Sequence, residues 1–414
     1  MDARRKLTLE RSGSGTSAGK LAGVSASSEP IRVTFVEPSL AAYRVPFFRA
    51  LSREPDLRVR LLYADSGRTN AAPDGFDASF APRTALRLLG HPVYWHPAQL
   101  AAVDAAQADV VSFDWDVHYA SLAPALLRAR RAGVATILWG HGTSRHDGTW
   151  KAWPRRSIAR LADVIVTYSE PAQASYLASG WPADRAHCAP NAIDQTPVQA
   201  AYAESRGGLN DEHAARHDAR SSLGLPEDGP LLLFVSRLDP IRRLDVLIDA
   251  VAMLAAAHPA LSVAIVGEGA AEQARLEARA AARGVQRLRF AGAEYDERRL
   301  AQWYAASDLI VHPAGLGLSV YHAMGHGRPV IAGDDAGAHG PEAASVVDGV
   351  TGLRFKSGDA AACAAAIAAL LGDEPRRLAM GQEARRRAIA DHSIEAMTAR
   401  FAAAVRAAAA RARR

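Results

Sequence analysis

Short apolar runs, each ending in a polar or glycine-bearing turn and followed by a helical stretch, recur along nearly the whole chain and leave it few architectures to adopt. In the first half these runs are IRVTFVEP from Ile31, LRVRLLYA from Leu57 to Ala64, ADVVSFDW around Val111, GVATILWG from Gly133 and ADVIVTYS from Ala162. In the second half they are LLLFVSRLD from Leu231, LSVAIVGEGA, Leu288 to Gly292, and Asp308 to His312. Strands this apolar, alternating with helices, are the pattern of a parallel sheet covered on both faces, so the chain reads as α/β. Open sheets of this kind bind ligands at the carboxyl ends of their strands, so the turns after the runs hold the chemistry.

A chain of 414 residues exceeds what one core supports, and 49% hydrophobic residues suffice for two. The series divides accordingly. Residues 1–29, rich in Ser, Gly and Ala, read as a disordered tail, and 30–194 as a first domain closed by Pro190-Asn191-Ala192-Ile193-Asp194. The polar stretch 195–229 reads as the interdomain connection, 230–390 as a second domain, and 391–414 as a C-terminal helix packing back on the first domain. Lys and Arg number 49 against 44 Asp and Glu, a balance too mild to indicate nucleic acid but suited to anionic small molecules or lipid headgroups. Cys188 and Cys363 stand far apart with no disulfide or zinc spacing, and no apolar run reaches the ~18 residues of a membrane span. A cytoplasmic protein is expected, with the inner face of the membrane as its alternative station.

The most informative segment is VHPAGLGLSVYHAMGHGRPV, Val311 to Val330. A strand ends at His312, Gly315 and Gly317 let backbone approach a ligand closely, and a helix opens near Leu318 and Ser319 with unpaired N–H groups, which together favour an anion such as phosphate. Arg237 and Arg242 follow the strand from Leu231, where paired guanidiniums can clasp a diphosphate; a surface loop neutralised by Asp239 and Asp245 is the alternative. Gly267 and Gly269 begin like a dinucleotide fingerprint, but Glu272 replaces the third glycine, which argues against a nicotinamide or flavin.

In the first half, Trp139-Gly140-His141-Gly142 puts a histidine in a glycine loop at a strand end. Tyr43-Arg44 follows the first strand, where Arg44 meets an anionic ligand or is a solvated residue at a helix start. Asp114-Trp115-Asp116 has a metal-binding spacing without further ligands, so no metal site is assigned. Trp150 to Arg160, WKAWPRRSIAR, suits either an anionic membrane surface or a solvated helix face, and the arginines of the last helix read most simply as solvated.

Taken in order, these segments resemble the retaining glycosyltransferases of family 4. FVSRLDPIRRLDVLIDA, IVGEGAAEQARLEARAAARGVQRLRFAGAE, SDLIVHPAGLGLSVYHAMGHGRPVIA and VVDGVTGLRFKSGD match the family's donor half, and PNAID its hinge. The resemblance implies a GT-B fold, two Rossmann-like domains facing across a cleft. It implies transfer of a sugar from a nucleotide diphosphate sugar to a glycan or lipid-linked acceptor, in cell-surface polysaccharide or glycolipid synthesis, with no cofactor and no nucleic acid partner. Arg237 and Arg242 would stabilise the departing diphosphate, with His141 lining the sugar or acceptor side. Gly267, Gly315, Gly317, Leu318, Ser319 and His322 would bind the donor, and Arg44 and Gly140 would lie on the acceptor side. The family's two signature glutamates are replaced by Ala314 and His322, which marks a divergent branch. That departure keeps two rivals in view: a non-catalytic nucleotide-sugar or glycan binding protein, and a GT-B sugar-nucleotide epimerase.

Overall fold

The computed structural model describes residues 29–65, 67, 69–88, 90–141, 155–206 and 211–412. The tail expected over 1–29 lies outside them except for its last residue, as do Trp150 to Pro154 and the pair Gly207-Gly208.

The first domain contains β1 (Ile31–Glu37), β2 (Leu57–Tyr63), β3 (Asp77–Phe80), β4 (Thr84–Leu88), β5 (His91–Trp95), β6 (Val110–Asp114), β7 (Ala135–Gly140), β8 (Val164–Thr167) and β9 (Ala186–Cys188). Seven of these form a parallel sheet in the order β3-β2-β1-β6-β7-β8-β9, while β4 and β5 pair as a separate antiparallel hairpin. The second domain holds β10 (Leu231–Val235), β11 (Ser262–Val266), β12 (Leu288–Gly292), β13 (Leu309–His312), β14 (Val330–Gly333) and β15 (Gly352–Phe355), parallel in the order β12-β11-β10-β13-β14-β15. In each sheet the chain starts near the middle, winds outward one way and returns to wind the other. The strand order therefore reverses between β1 and β6 and between β10 and β13, the two places where such sheets open a crevice at their carboxyl ends.

Buried Val, Ile, Leu and Phe from both faces of each sheet make the cores, as near-continuous apolar strands require. The first core is completed from the far end of the chain. The helix Ile394–Ala412 crosses back and inserts Phe401, whose ring centroid lies 4.7 Å from Trp139 and 5.3 Å from Phe35. Its arginines are not simply solvated: Arg406 pairs with Glu54 and Asp56, and Arg411 with Asp184, fixing the helix to the first domain.

The stretch 195–229 is also more than a passage between domains. It forms helices Gln195–Ser205 and Glu212–Leu223, and Val198, Ala219 and Leu223 join the core of the second domain. The second helix is held by charge where its apolar face is thin. Arg220 lies 3.0 Å from Asp308, Arg216 pairs with the same carboxylate, and Arg377 stands 3.5 Å from it. The expected interdomain boundary therefore moves toward Asp194.

Candidate active site

The loop after β10 carries the two arginines that the sequence singles out. Neither Asp239 nor Asp245 forms an ion pair with them. Asp239 Oδ1 accepts the backbone N–H of Ile241 at 3.0 Å, and Asp245 pairs with Arg243 at 3.2 Å. Among the described residues no carboxylate lies within ion-pair distance of Arg237 or Arg242, and the buried Arg242 Nε has no hydrogen-bond partner. Burial pulls the Arg242 pKa down, Asp239 pushes it back up, and the adjacent charge of Arg237 adds to the depression. Arg243, directly after it, holds φ at 53°, a left-handed conformation that costs a side-chain-bearing residue on the order of 1 kcal/mol. That strained turn separates Arg242 from the helix Leu244–Leu254, which begins at the next residue.

The loop after β13 closes on the same spot. Gly315 sits at φ 67°, and a Cβ there would lie 2.7 Å from Arg242 Cδ and Nη1, so the guanidinium lies directly on glycine backbone. Gly317 faces open space, with only Glu342 Oε2 near its absent Cβ, at 4.0 Å. The loop is pinned from behind: Gly315 N–H donates to Ala338 O at 2.8 Å, Leu316 N–H to His339 Nδ1 at 3.1 Å, and Gly340 N–H to Leu316 O at 2.7 Å. Leu318 packs on the core beside it, and the helix Ser319–Gly325 then begins where the sequence places it. Ser319 Oγ lies 3.5 Å from His312 Nε2. Burial and the charge of Arg242 depress the His312 pKa to about 3, so its ring is neutral at any working pH.

Two expected donor contacts stand differently. Gly267 is buried against Ser236, whose carbonyl a Cβ would overlap, and its N–H donates to Gly292 O at 2.7 Å; its missing side chain serves strand packing. His322 is partly exposed, with Nδ1 3.5 Å from Glu297 Oε2.

Across the cleft, the carboxyl ends of β1, β6, β7 and β8 gather a polar cluster. Arg44 is buried, which overturns the solvated reading: Nη2 donates to the Tyr168 hydroxyl at 2.8 Å, and the guanidinium stacks 3.8 Å from the Trp139 ring. Glu37 Oε2 is 4.0 Å from Arg44 Nη1, while Glu37 Oε1 and Arg44 Nη1 have no hydrogen-bond partner. His141 is exposed, with its ring 5.0 Å from Tyr168, and Gly140 is buried where a Cβ would come within 2.7 Å of Trp115 Cβ. Asp116 pairs with His118 at 2.6 Å. Among the described residues no group of three or more His, Cys, Asp or Glu side chains converges to hold a metal ion.

Burial raises the Glu37 carboxyl from 4.5 to about 7 despite the opposing pull of Arg44, and burial also raises Asp114 well above its ordinary range. Unfolded, Glu37 loses its proton near 4.5, whereas folded it keeps the proton to about 7. The folded state binds more protons between those values, so this group's contribution falls as pH rises through that window and is level above it. Glu37→Gln removes the titration. The difference in melting temperature between the variant and the parent should grow in the variant's favour from pH 4.5 to 7, and a pH-independent difference would refute it.

Sequence profiles then identify the two halves separately. "Glycosyltransferase Family 4" matches residues 48–196 and "Glycosyl transferases group 1" matches 215–387, in the order that the two domains follow. The chain belongs to the family 4-like glycosyltransferases of GT-B fold. A D-inositol 3-phosphate glycosyltransferase of Nocardia farcinica is 31% identical to this family member over 306 residues, 72% of this chain and 61% of the relative. D-inositol 3-phosphate glycosyltransferase 2 of Catenulispora acidiphila is 38% identical over 172 residues, 39% of each chain. The chain thus spans from about two fifths to three fifths of the length of these curated relatives. Among solved structures, Anabaena Alr3699/HepE in complex with UDP superposes with a TM-score of 0.65 over 90% of this chain and 98% of its own, at 18% identity. A glycosyltransferase from Rickettsia africae reaches 0.66 over 91% and 98%, at 15% identity. At such identities these two bear on the fold alone.

Glu37 and Glu342 escaped the sequence reading. Glu37 ends an apolar strand, directly before Pro38, and a charge closing a buried strand at a ligand-binding edge was the available signal.

Proposed function

We propose that the protein transfers a sugar from a nucleotide diphosphate sugar to an acceptor hydroxyl with retention of configuration, using the second domain for the donor and the first for the acceptor. The observation that carries this reading is the pair Arg237 and Arg242, with no carboxylate within ion-pair distance among the described residues and with Arg242 laid against Gly315 at the carboxyl end of the second sheet. A pair of guanidiniums without counterions, beside glycine backbone, is a seat for a diphosphate.

The chemistry follows from that placement. The acceptor oxygen forms the new bond to the anomeric carbon as the bond to the diphosphate oxygen breaks. The leaving diphosphate takes the bonding electrons, and the acceptor's proton leaves with it or passes to solvent. Negative charge grows on the diphosphate during this step, so Arg237 and Arg242 bind the transition state more tightly than the ground state. Closure of the domains would keep water from the same bond. UDP in HepE makes a uridine donor the first to test, and a glycan or lipid-linked acceptor in cell-surface polysaccharide or glycolipid synthesis is the corresponding acceptor class. No helix among the described residues is long and apolar enough to cross a membrane, so contact with such acceptors would be made from the surface.

Ala314 and His322, in place of the signature glutamates, favour a second reading as a binder without turnover. Incubation with UDP-, GDP- and ADP-glucose separates the alternatives. Transfer to an added acceptor with the anomeric configuration kept supports the proposal, a rearranged free nucleotide sugar indicates an epimerase, and saturable binding without product indicates a binding protein.

A further inference from the structure

The donor loop lacks a carboxylate at 314 and 322, yet one reaches it from elsewhere in the fold. Glu342 lies in the short turn Pro341–Ser345 after β14 and is 6% exposed. Asn191 Nδ2, from the stretch that closes the first domain, donates to its Oε1 at 2.8 Å. Its Oε2 receives no hydrogen bond from another described residue and is aimed at the glycine backbone of the donor loop. A Cβ on Gly340 would overlap that oxygen, and one on Gly317 would stand 4.0 Å from it. Burial raises the Glu342 carboxyl above its ordinary range, opposed by hydrogen bonds from Asn191 and from its own backbone N–H and by the charge of Arg44 across the cleft. Glu342 therefore stands between the diphosphate seat of the second domain and the polar cluster of the first.

Resting on the donor-site reading above, we propose that Glu342 is a specificity-determining residue that accepts hydrogen bonds from hydroxyls of the transferred sugar, supplying the acidic contact that Ala314 cannot. A sugar attached to a diphosphate at Arg242 and Gly315 extends from the second domain toward the first, and Oε2 is the carboxylate oxygen facing that gap. A carboxylate oxygen that takes no hydrogen bond from another described residue is an acceptor for a hydroxyl, and a buried acceptor discriminates strongly against an analogue that lacks the donor. Asn191 is then a positioning residue.

The test uses the full chain, with UDP, GDP and ADP and their glucose conjugates as probes, together with singly deoxygenated forms of the conjugate that binds. Glu342→Gln and Glu342→Ala should leave the affinity for the sugar-free nucleotide within about twofold of the parent, showing that the variants are folded. The same variants should lower kcat/KM for the conjugate by about 10- to 100-fold and erase discrimination against at least one deoxy form. Asn191→Ala should give a smaller loss in the same parameter. Unchanged discrimination in both Glu342 variants, or an equal loss of affinity for sugar-free nucleotide, overturns the inference and leaves the donor site standing. A parent protein that binds none of the three nucleotides overturns the donor-site reading itself.

Discussion

Alanine at both 237 and 242 is expected to abolish stabilisation by nucleoside diphosphates and to reduce turnover by about 10²–10³-fold, while leaving the melting temperature of the free protein nearly unchanged. Stability is spared because among the described residues neither guanidinium has a carboxylate within ion-pair distance, and Arg242 already bears the cost of a buried Nε without an acceptor. Ligand binding is not spared. A ligand at about 100 times its Kd stabilises the native state by about 2.7 kcal/mol, and loss of two charge-assisted contacts, each worth about 1.5–3 kcal/mol, removes that effect. The turnover figure follows from the cost of removing one preorganised donor to a developing oxyanion, about 2.7–4 kcal/mol. Gly315→Ala reaches the same endpoint by another route. Its Cβ would displace Arg242, the movable partner, so it should lose activity in step with Arg242→Ala although the arginine is still present. Thermal melting with and without UDP, and initial rates, check all three. Retained nucleotide binding in the double variant would refute the diphosphate seat.

The largest expected loss of stability lies away from the cleft. Asp308 is buried at the start of β13, where its carboxylate takes Arg220 at 3.0 Å, Arg216, and Arg377 at 3.5 Å, and accepts the backbone N–H of Leu231 at 2.8 Å. Asp308→Asn keeps the shape and removes the anion, leaving the buried Arg220 with backbone carbonyls alone while Arg377 and Arg216 keep Glu374. Breaking a buried ion pair from one side costs about 3–5 kcal/mol, a large part of the roughly 5–15 kcal/mol that holds a domain folded. The denaturant midpoint should fall sharply. Adding Arg220→Met, which removes that stranded charge and fills its volume, should restore part of the loss. An unfolding free energy within about 0.5 kcal/mol of the parent for Asp308→Asn alone would show that the cluster is structurally idle.

Much of this architecture could be read before any coordinates. The strand at Leu309–His312 and the helix opening at Ser319 fall within a few residues of their expected places, because apolar runs and glycine turns act locally. Arg237 and Arg242 were legible for the same reason, as charges at the end of a strand that must be buried. The helices over 195–223 were not legible as part of the second domain. The helix Glu212–Leu223 is tied to Asp308, about ninety residues away, which no local pattern connects to Arg216 or Arg220.

The sequence by itself determined the alternation of strands and helices, the two halves, and the loops that end in arginine and glycine, since each is set by residues within one turn or one strand of each other. Only the tertiary structure decided which charges are paired. It showed Asp239 and Asp245 occupied elsewhere, Arg44 buried beneath Tyr168, and Glu342 brought beside Gly317 by a hydrogen bond from Asn191, 151 positions earlier in the chain. A charge's partner and its access to water depend on which segments the fold brings together, and that distance through space is not encoded in distance along the chain.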